Sequence, residues 1–212
     1  MLTKIFLVRH AQSEEDIRPN FRSHVMDRRI SITEEGKHQV RVLASVLRRR
    51  VMRYRRIRIY VSPSARAVQT MALFAASFRK IDFEIKYDER IRGLNWGSVT
   101  EKTIRKVEEE RYRVGVLYFQ FPDGDNTPEY VRNIKMFVGE FLADGSIGGH
   151  PECAIIFTHG FALRIIAKTL LSISDEEFRY LKNPPNCSIA DFSIRGERIT
   201  LKDPLPKISF EI

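Results

Sequence analysis

Only two cysteines, Cys153 and Cys187, occur in 212 residues. Two thiols make no disulfide framework. No histidines stand at a spacing that would complete a structural zinc site with them. Both read as reduced, buried, small apolar residues of a cytosolic protein. Long hydrophobic runs are also missing: none approaches the ~20 residues of a membrane-spanning helix. The first apolar stretch, Ile5 to Val8, is too short for a secretion signal and runs straight into charge. A cytoplasmic protein with no membrane contact is expected. Repeats, low-complexity tracts and Gly/Ser linkers are absent too. Nothing divides the chain, so residues 1–212 are expected to form a single domain.

Apolar residues are plentiful, at 43%, which supplies a substantial core and excludes a disordered chain. The net charge is +9, and arginine is concentrated in RRRVMRYRRIR, residues 48 to 58, where seven of eleven residues are Arg. An RNA-binding patch is one reading. Tyr54 is its only aromatic, so the stacking platform of a single-strand binder is missing. The solvated end of a helix is the simpler reading, because arginines there complement the helix dipole. Nucleic acid is therefore not the expected partner. Arg18, Arg22, Arg28 and Arg29 are compatible with an anionic small substrate, although surface solvation accounts for most such residues.

Strand and helix patterns alternate. Buried strands are expected at residues 4–8, 57–61, 83–87 and 153–157. Helices are expected from Thr33 to Val51, Ser64 to Phe78, Thr100 to Tyr112 and Phe161 to Leu171, with a further one capped at Thr127 and Pro128. Ser174 and Glu177 form a capping-box pattern. Residues 187–203 read as a closing hairpin. The fold class that follows is an α/β, three-layer α/β/α sandwich with a mostly parallel central sheet.

In such sheets, ligands sit beyond the carboxyl ends of the strands. Arg9-His10 follows the first strand. Ser62-Pro63-Ser64-Ala65-Arg66 follows the second. Thr158-His159-Gly160 follows the strand ending at Phe157. Two histidines and two arginines thus gather on one rim. Arginine presents a planar fork of donors to phosphate oxygens. A neutral imidazole can attack phosphorus and become a phosphohistidine. A second imidazole and the arginines can neutralise the transition state. The positive charge comes from side chains, so neither a metal nor a cofactor is expected. Any one of these residues alone would read as structural; the coincidence of four carries the argument.

These segments resemble the histidine phosphatase superfamily, the phosphoglycerate-mutase-like fold. LVRHAQS (7–13) is similar to its strand-RHGxS opening, SPSARAVQT (62–70) to SxxxRAxQT, and IIFTHGFALR (155–164) to its strand-[ST]HG-xx-LR segment. TEEGKHQV and NPPNCSI resemble its TxxGxxQA helix start and its closing strand. RIRGLNWG and FPDGDNTPEYV resemble a branch 1-type phosphatase group near plant and fungal phosphoglycerate-mutase-like proteins. The resemblance implies that His10 is the nucleophile and that Arg9, Arg66 and His159 bind the phosphoryl group. It gives Gln12, Ser13 and Gly160 minor substrate-binding roles. His24, His38 and His150 match nothing in the pattern and read as surface or structural.

Three departures stand out. Ala11 replaces the glycine of RHG, which matters only if the position needs a positive φ. Asp16 replaces an asparagine, and a carboxylate there repels the substrate unless an arginine pairs with it. Gly93 stands where the family keeps its acidic proton donor. Asp125 is the first replacement considered, then Glu89, with Asp123 and Glu101 behind them.

The expected activity is metal-independent hydrolysis of a small anionic phosphorylated metabolite through a phosphohistidine, releasing inorganic phosphate. Mutase-type phosphoryl transfer is one alternative, although the longer ERHYG-type segment of mutases is absent. A degenerate member that binds a phosphorylated ligand or a partner with little turnover is the other.

Overall fold

The computed structural model describes residues 2–17, 29–78, 81–100, 102–144 and 152–207. Arg18, Arg22, His24, Arg28, Glu101 and His150 lie outside the described residues.

One six-stranded sheet forms the middle layer, in the order β3-β2-β4-β1-β5-β6. Its strands are β1 (Lys4–Arg9), β2 (Ile57–Val61), β3 (Phe83–Tyr87), β4 (Cys153–Thr158), β5 (Ile189–Arg195) and β6 (Arg198–Leu201). The first four run parallel. The closing hairpin adds β5 and β6 antiparallel at one side. The sheet is thus mixed, with the parallel part carrying the rim of interest.

Strand alternation sends each strand's side chains to two cores. Phe6, Val8, Ile59, Val61, Ile155 and Phe157 pack under α2 (Glu34–Val51) and α3 (Ala65–Ala76). Ile5, Leu7, Tyr60, Ala154 and Ile156 pack under α5 (Thr127–Asp144) and α6 (Gly160–Leu171). This is the three-layer arrangement. Both faces of β4 are buried, which is why CAIIF reads as a continuous apolar run. A third small cluster, Val99, Phe119 and Phe121 with Trp96, Ile104 and Val107, fastens the loops around α4 (Ile104–Val114).

Local chemistry sets the boundaries. Thr33 caps α2 by accepting from the Gly36 amide at 3.0 Å. The short helix α7 (Asp175–Phe178) has a complete capping box between Ser174 and Glu177. Two boundaries differ from expectation. Residue Thr100 is not the start of α4, because Thr103 Oγ1 accepts from the Thr100 amide at 2.9 Å and forms a turn there. Nor does Thr127 cap α5. Asn126 Oδ1 accepts from the Glu129 amide at 3.1 Å, and Thr127 is already the first helical residue.

The arginine run is divided by the fold. Arg50 pairs with Asp191 at 3.1 Å and Arg58, on β2, with Glu84 at 2.8 Å. Arg48 donates to the Ser77 carbonyl and lies over the Phe78 ring. Among the described residues, no helix is long and apolar enough to cross a membrane.

Candidate active site

Val8, Val61 and Phe157 share one level of the sheet. The chain leaves the parallel strands just beyond it. His10 donates its backbone amide to Thr158 O at 2.9 Å, and Ser62 donates to Phe157 O at 3.0 Å. These bonds pin all three loops to β4. His10, Arg66 and His159 therefore converge, each at most 5% exposed.

Arg66 sits between the two histidines. Its Nε donates to His10 Nε2 at 3.3 Å, and its Nη2 faces His159 Nδ1 at 3.2 Å. The imidazole centroids are 4.9 Å apart. The partners fix the tautomers. His10 Nδ1 lies 2.8 Å from the Ala11 carbonyl. A carbonyl only accepts, so Nδ1 carries the proton and Nε2 presents its lone pair to the cavity. A guanidinium only donates, so His159 Nδ1 is the acceptor and its Nε2–H points to Ser62 Oγ at 2.8 Å.

Both imidazoles are neutral in the free site. Burial is the main cause; the charges of Arg66 and Arg9 add to it. His10 is pulled down to about 3 and His159 well below its ordinary value.

Arg9 donates to Asp16 Oδ1 at 2.9 Å and to the Pro184 carbonyl at 2.8 Å. Asp16 is the carboxylate that would repel an anion. It is neutralised here, because Arg9 pairs with it while Ser13 donates from its amide and hydroxyl to Oδ2. Ala11 is no obstacle either, since its φ is not among the positive ones.

The cavity above these groups measures about 270 Å³, just below the roughly 300–1,000 Å³ typical of ligand pockets. Arg9, His10, Arg66, His159 and Gly160 all line it. His159 is the N-cap of α6, so the first amides of that helix are left without intrahelical acceptors beside the cavity. Gln12 and Ser13 are not brought to the wall. Gln12 accepts from Thr33 Oγ1 at 2.7 Å at the start of α2, and Ser13 is spent on Asp16.

Three of the four replacement acids considered for Gly93 are also not delivered. Asp125 accepts two hydrogen bonds from Arg92, at 2.8 and 2.7 Å, and one from the Asn95 amide at 2.7 Å. It braces the loop instead of facing the cavity. Glu89 is exposed at the start of a 3₁₀ turn, and Asp123 is exposed and accepts from Ser98.

Gly93 itself is where the sequence places it. A Cβ there would lie 3.0 Å from Arg66 Nη2 and 3.3 Å from His159 Nδ1. The carboxylate that does reach this spot is Glu15, on the short helix α1 (Glu14–Ile17). Its Oε2 is 3.6 Å from the same Arg66 Nη2, and it lines the cavity. Sequence reasoning missed Glu15, which stands in none of the segments that carry the resemblance. It also missed Arg111, Arg164, Trp96, Phe161 and Asn183 in the wall. Arg111 left a signal: with Ile104 and Val107 it falls on the inward stripe of α4, a place where arginine is out of pattern.

The pattern of the family described as histidine phosphatase superfamily (branch 1) matches residues 5–204. A phosphoglycerate mutase-like protein of Arabidopsis thaliana is 26% identical over 212 residues, covering 92% of this chain and 75% of that one. A broad-specificity phosphatase of Saccharomyces cerevisiae is 22% identical over 191 residues, covering 90% and 80%. Among solved structures, a mycobacterial glucosyl-3-phosphoglycerate phosphatase has a TM-score of 0.75 at 18% identity, covering 96% and 99%. The match spans nearly the whole sheet, and the histidine pair converges on the rim where that family's opening motif led. The chain therefore belongs to branch 1 of the histidine phosphatase superfamily.

Proposed function

We propose that this protein hydrolyses small phosphate monoesters through a phosphohistidine on His10. One observation carries the reading: the His10 Nε2 lone pair faces a cavity walled by Arg9, Arg66 and His159. The phosphoryl group sits between the guanidiniums, which displaces Arg66 from the imidazoles. Nε2 attacks phosphorus, the Nε2–P bond forms and the P–O bond to the alcohol breaks. Arg9, Arg66 and His159, which takes a proton at Nδ1 as negative charge arrives, hold the phosphoryl oxygens. Water then attacks phosphorus, the Nε2–P bond breaks and inorganic phosphate leaves. Side chains supply the positive charge that these steps require.

The leaving alcohol needs a proton, and Glu15 is the carboxyl at hand. Alone, it is paired with Arg66. A bound phosphate dianion shares that guanidinium, so the carboxylate is driven to take up a proton. It gives that proton to the alcohol oxygen and takes one back from the attacking water.

A binding-only role draws support from Gly93, which leaves the usual acid position empty. Incubating the protein, in chelator, with p-nitrophenyl phosphate and a panel of sugar phosphates and phosphoglycerates decides between the readings. Turnover lost in His10→Ala, with an acid-labile phosphoenzyme trapped in the unmutated protein, supports the phosphatase. Phosphoryl transfer to added glycerate in preference to water would make it a mutase. A folded protein that binds phosphate but turns over nothing would be the degenerate binder.

A further inference from the structure

The wall of the cavity away from His10 holds two more arginines, Arg111 of α4 and Arg164 of α6. Both are 7% exposed. Their guanidinium carbons lie over the same ring, that of Phe161, at 4.7 and 5.1 Å. Trp96 and Phe121 contact Arg111 from other directions, at 5.3 and 5.6 Å. Phe178 lies 5.2 Å from Arg164. Aromatic faces attract cations, but they do not neutralise them.

No carboxylate does either. Among the described residues, neither arginine is within ion-pair distance of an Asp or Glu. Arg111 Nε and Nη2 are buried with no hydrogen-bond partner, and so is Arg164 Nε. Arg164 donates from Nη1 to the Leu181 carbonyl. The acids of the same cavity are engaged elsewhere: Asp16 pairs with Arg9, and Glu15 with Arg66. Glu108, one turn back on α4, is exposed and reaches Arg111 only as a distant charge.

Burial pulls Arg111 down to about 10. Burial, and then the charge of Arg111 itself, pulls Arg164 down to about 9. Both stay protonated at neutral pH. Two like charges thus share one aromatic ring at the edge of a small cavity, and an anion between them would relieve each. Buried charges in folded proteins are paired; here none of the described residues supplies the partner.

We infer that Arg111 and Arg164 form a second anion subsite, which takes a carboxylate or a second phosphate on the alcohol half of the substrate. This rests on the phosphomonoesterase reading for its catalytic consequence, but the subsite itself is a matter of binding. Phosphate at His10 and a second negative group at Arg111 and Arg164 would span the cavity. Asn183, which lines the wall beside Gly160, is placed to meet uncharged hydroxyls between them. Esters of uncharged alcohols would use only half of the site.

The test compares matched esters. 3-Phosphoglycerate and glycerol 3-phosphate differ by a carboxylate in place of a hydroxymethyl group. Fructose 1,6-bisphosphate and fructose 6-phosphate differ by one phosphate. Each pair is measured for kcat/KM and for the rise in Tm on binding, with unmutated protein, Arg111→Met and Arg164→Met. A preference of tenfold or more for one doubly anionic member is expected, and the pair that shows it tells carboxylate from phosphate. That ratio should fall toward unity in Arg111→Met.

Arg164→Met also loses the bond to Leu181 and can fail to fold. Among the described residues the Arg111 side chain has no hydrogen-bond partner to lose, so Arg111→Met is the deciding variant, and its Tm without ligand should equal or exceed that of the unmutated protein. Equal use of both members of both pairs, or a preference that survives in folded Arg111→Met, overturns the inference. The phosphatase reading fails separately: if p-nitrophenyl phosphate is not hydrolysed but 3-phosphoglycerate or fructose 1,6-bisphosphate raises Tm in an Arg111-dependent way, the subsite stands without the chemistry.

Discussion

Arg66 donates from Nε to the Nε2 lone pair of His10 at 3.3 Å. The guanidinium thus occupies, in the free site, the nitrogen proposed to attack phosphorus, and its Nη2 holds His159 at Nδ1. One arginine aligns both imidazoles before any substrate arrives.

Removing it should cost alignment and charge stabilisation together. Arg66→Met is expected to lower kcat by about 10²–10³-fold, the usual cost of losing one transition-state donor. Steady-state kinetics on p-nitrophenyl phosphate checks this. A change of less than a few-fold would mean that Arg9 and His159 suffice.

Stability should depend on pH through the two buried histidines. In the unfolded chain each imidazole takes up a proton near pH 6.5. In the folded protein His10 does so only near 3, and His159 is likewise depressed. The unfolded state therefore binds more protons across that window. Stability is complete above pH 6.5 and falls as the pH drops toward 3. Urea titrations at several pH values should show this slope, and it should shrink in His159→Asn.

Asp125→Asn separates bracing from catalysis. The carboxylate is mostly buried and holds Arg92 and the Asn95 amide. Its loss should destabilise the fold by about 1.5–3 kcal/mol, as for a hydrogen bond to a charged group. The relative rates on good and poor leaving groups should stay as they are. If slow, poor leaving groups alone suffer, Asp125 is the proton donor after all.

Glu15→Gln should do the reverse. Esters of aliphatic alcohols should slow by about 10²–10⁴-fold, the range for general acid catalysis. p-Nitrophenyl phosphate, whose leaving group needs no proton, should be far less affected. Adding Gly93→Glu to that variant puts a carboxylate against the same Arg66 nitrogen and should restore part of the lost rate. Equal slowing of both ester types would reduce Glu15 to a charge partner of Arg66.

The layers and most of the rim were legible in the sequence because they rest on periodicity and on strand ends. CAIIF had to be a buried strand, and Thr158-His159-Gly160 had to leave from its carboxyl end. What could not be read was pairing between distant segments. Asp125 looked available because nothing in FPDGDNTP shows that Arg92 folds over to meet it. Glu15 drew no notice, because its meeting with Arg66 depends on how the loop after β1 turns. Arg111 was hidden differently: its inward position was visible in the spacing Ile104, Val107, Arg111, but its chemistry depends on Phe161 from a helix fifty residues further along the chain.

His159 is the N-cap of α6 and Arg164 lies in its first turns, five residues on. At 1.5 Å per residue their backbones are separated by about 7.5 Å of rise. The hydrogen-bonded turns between them do not stretch. In the proposed site the helix therefore acts as a gauge: the interval between the phosphoryl group and the second anion is set by the pitch of α6.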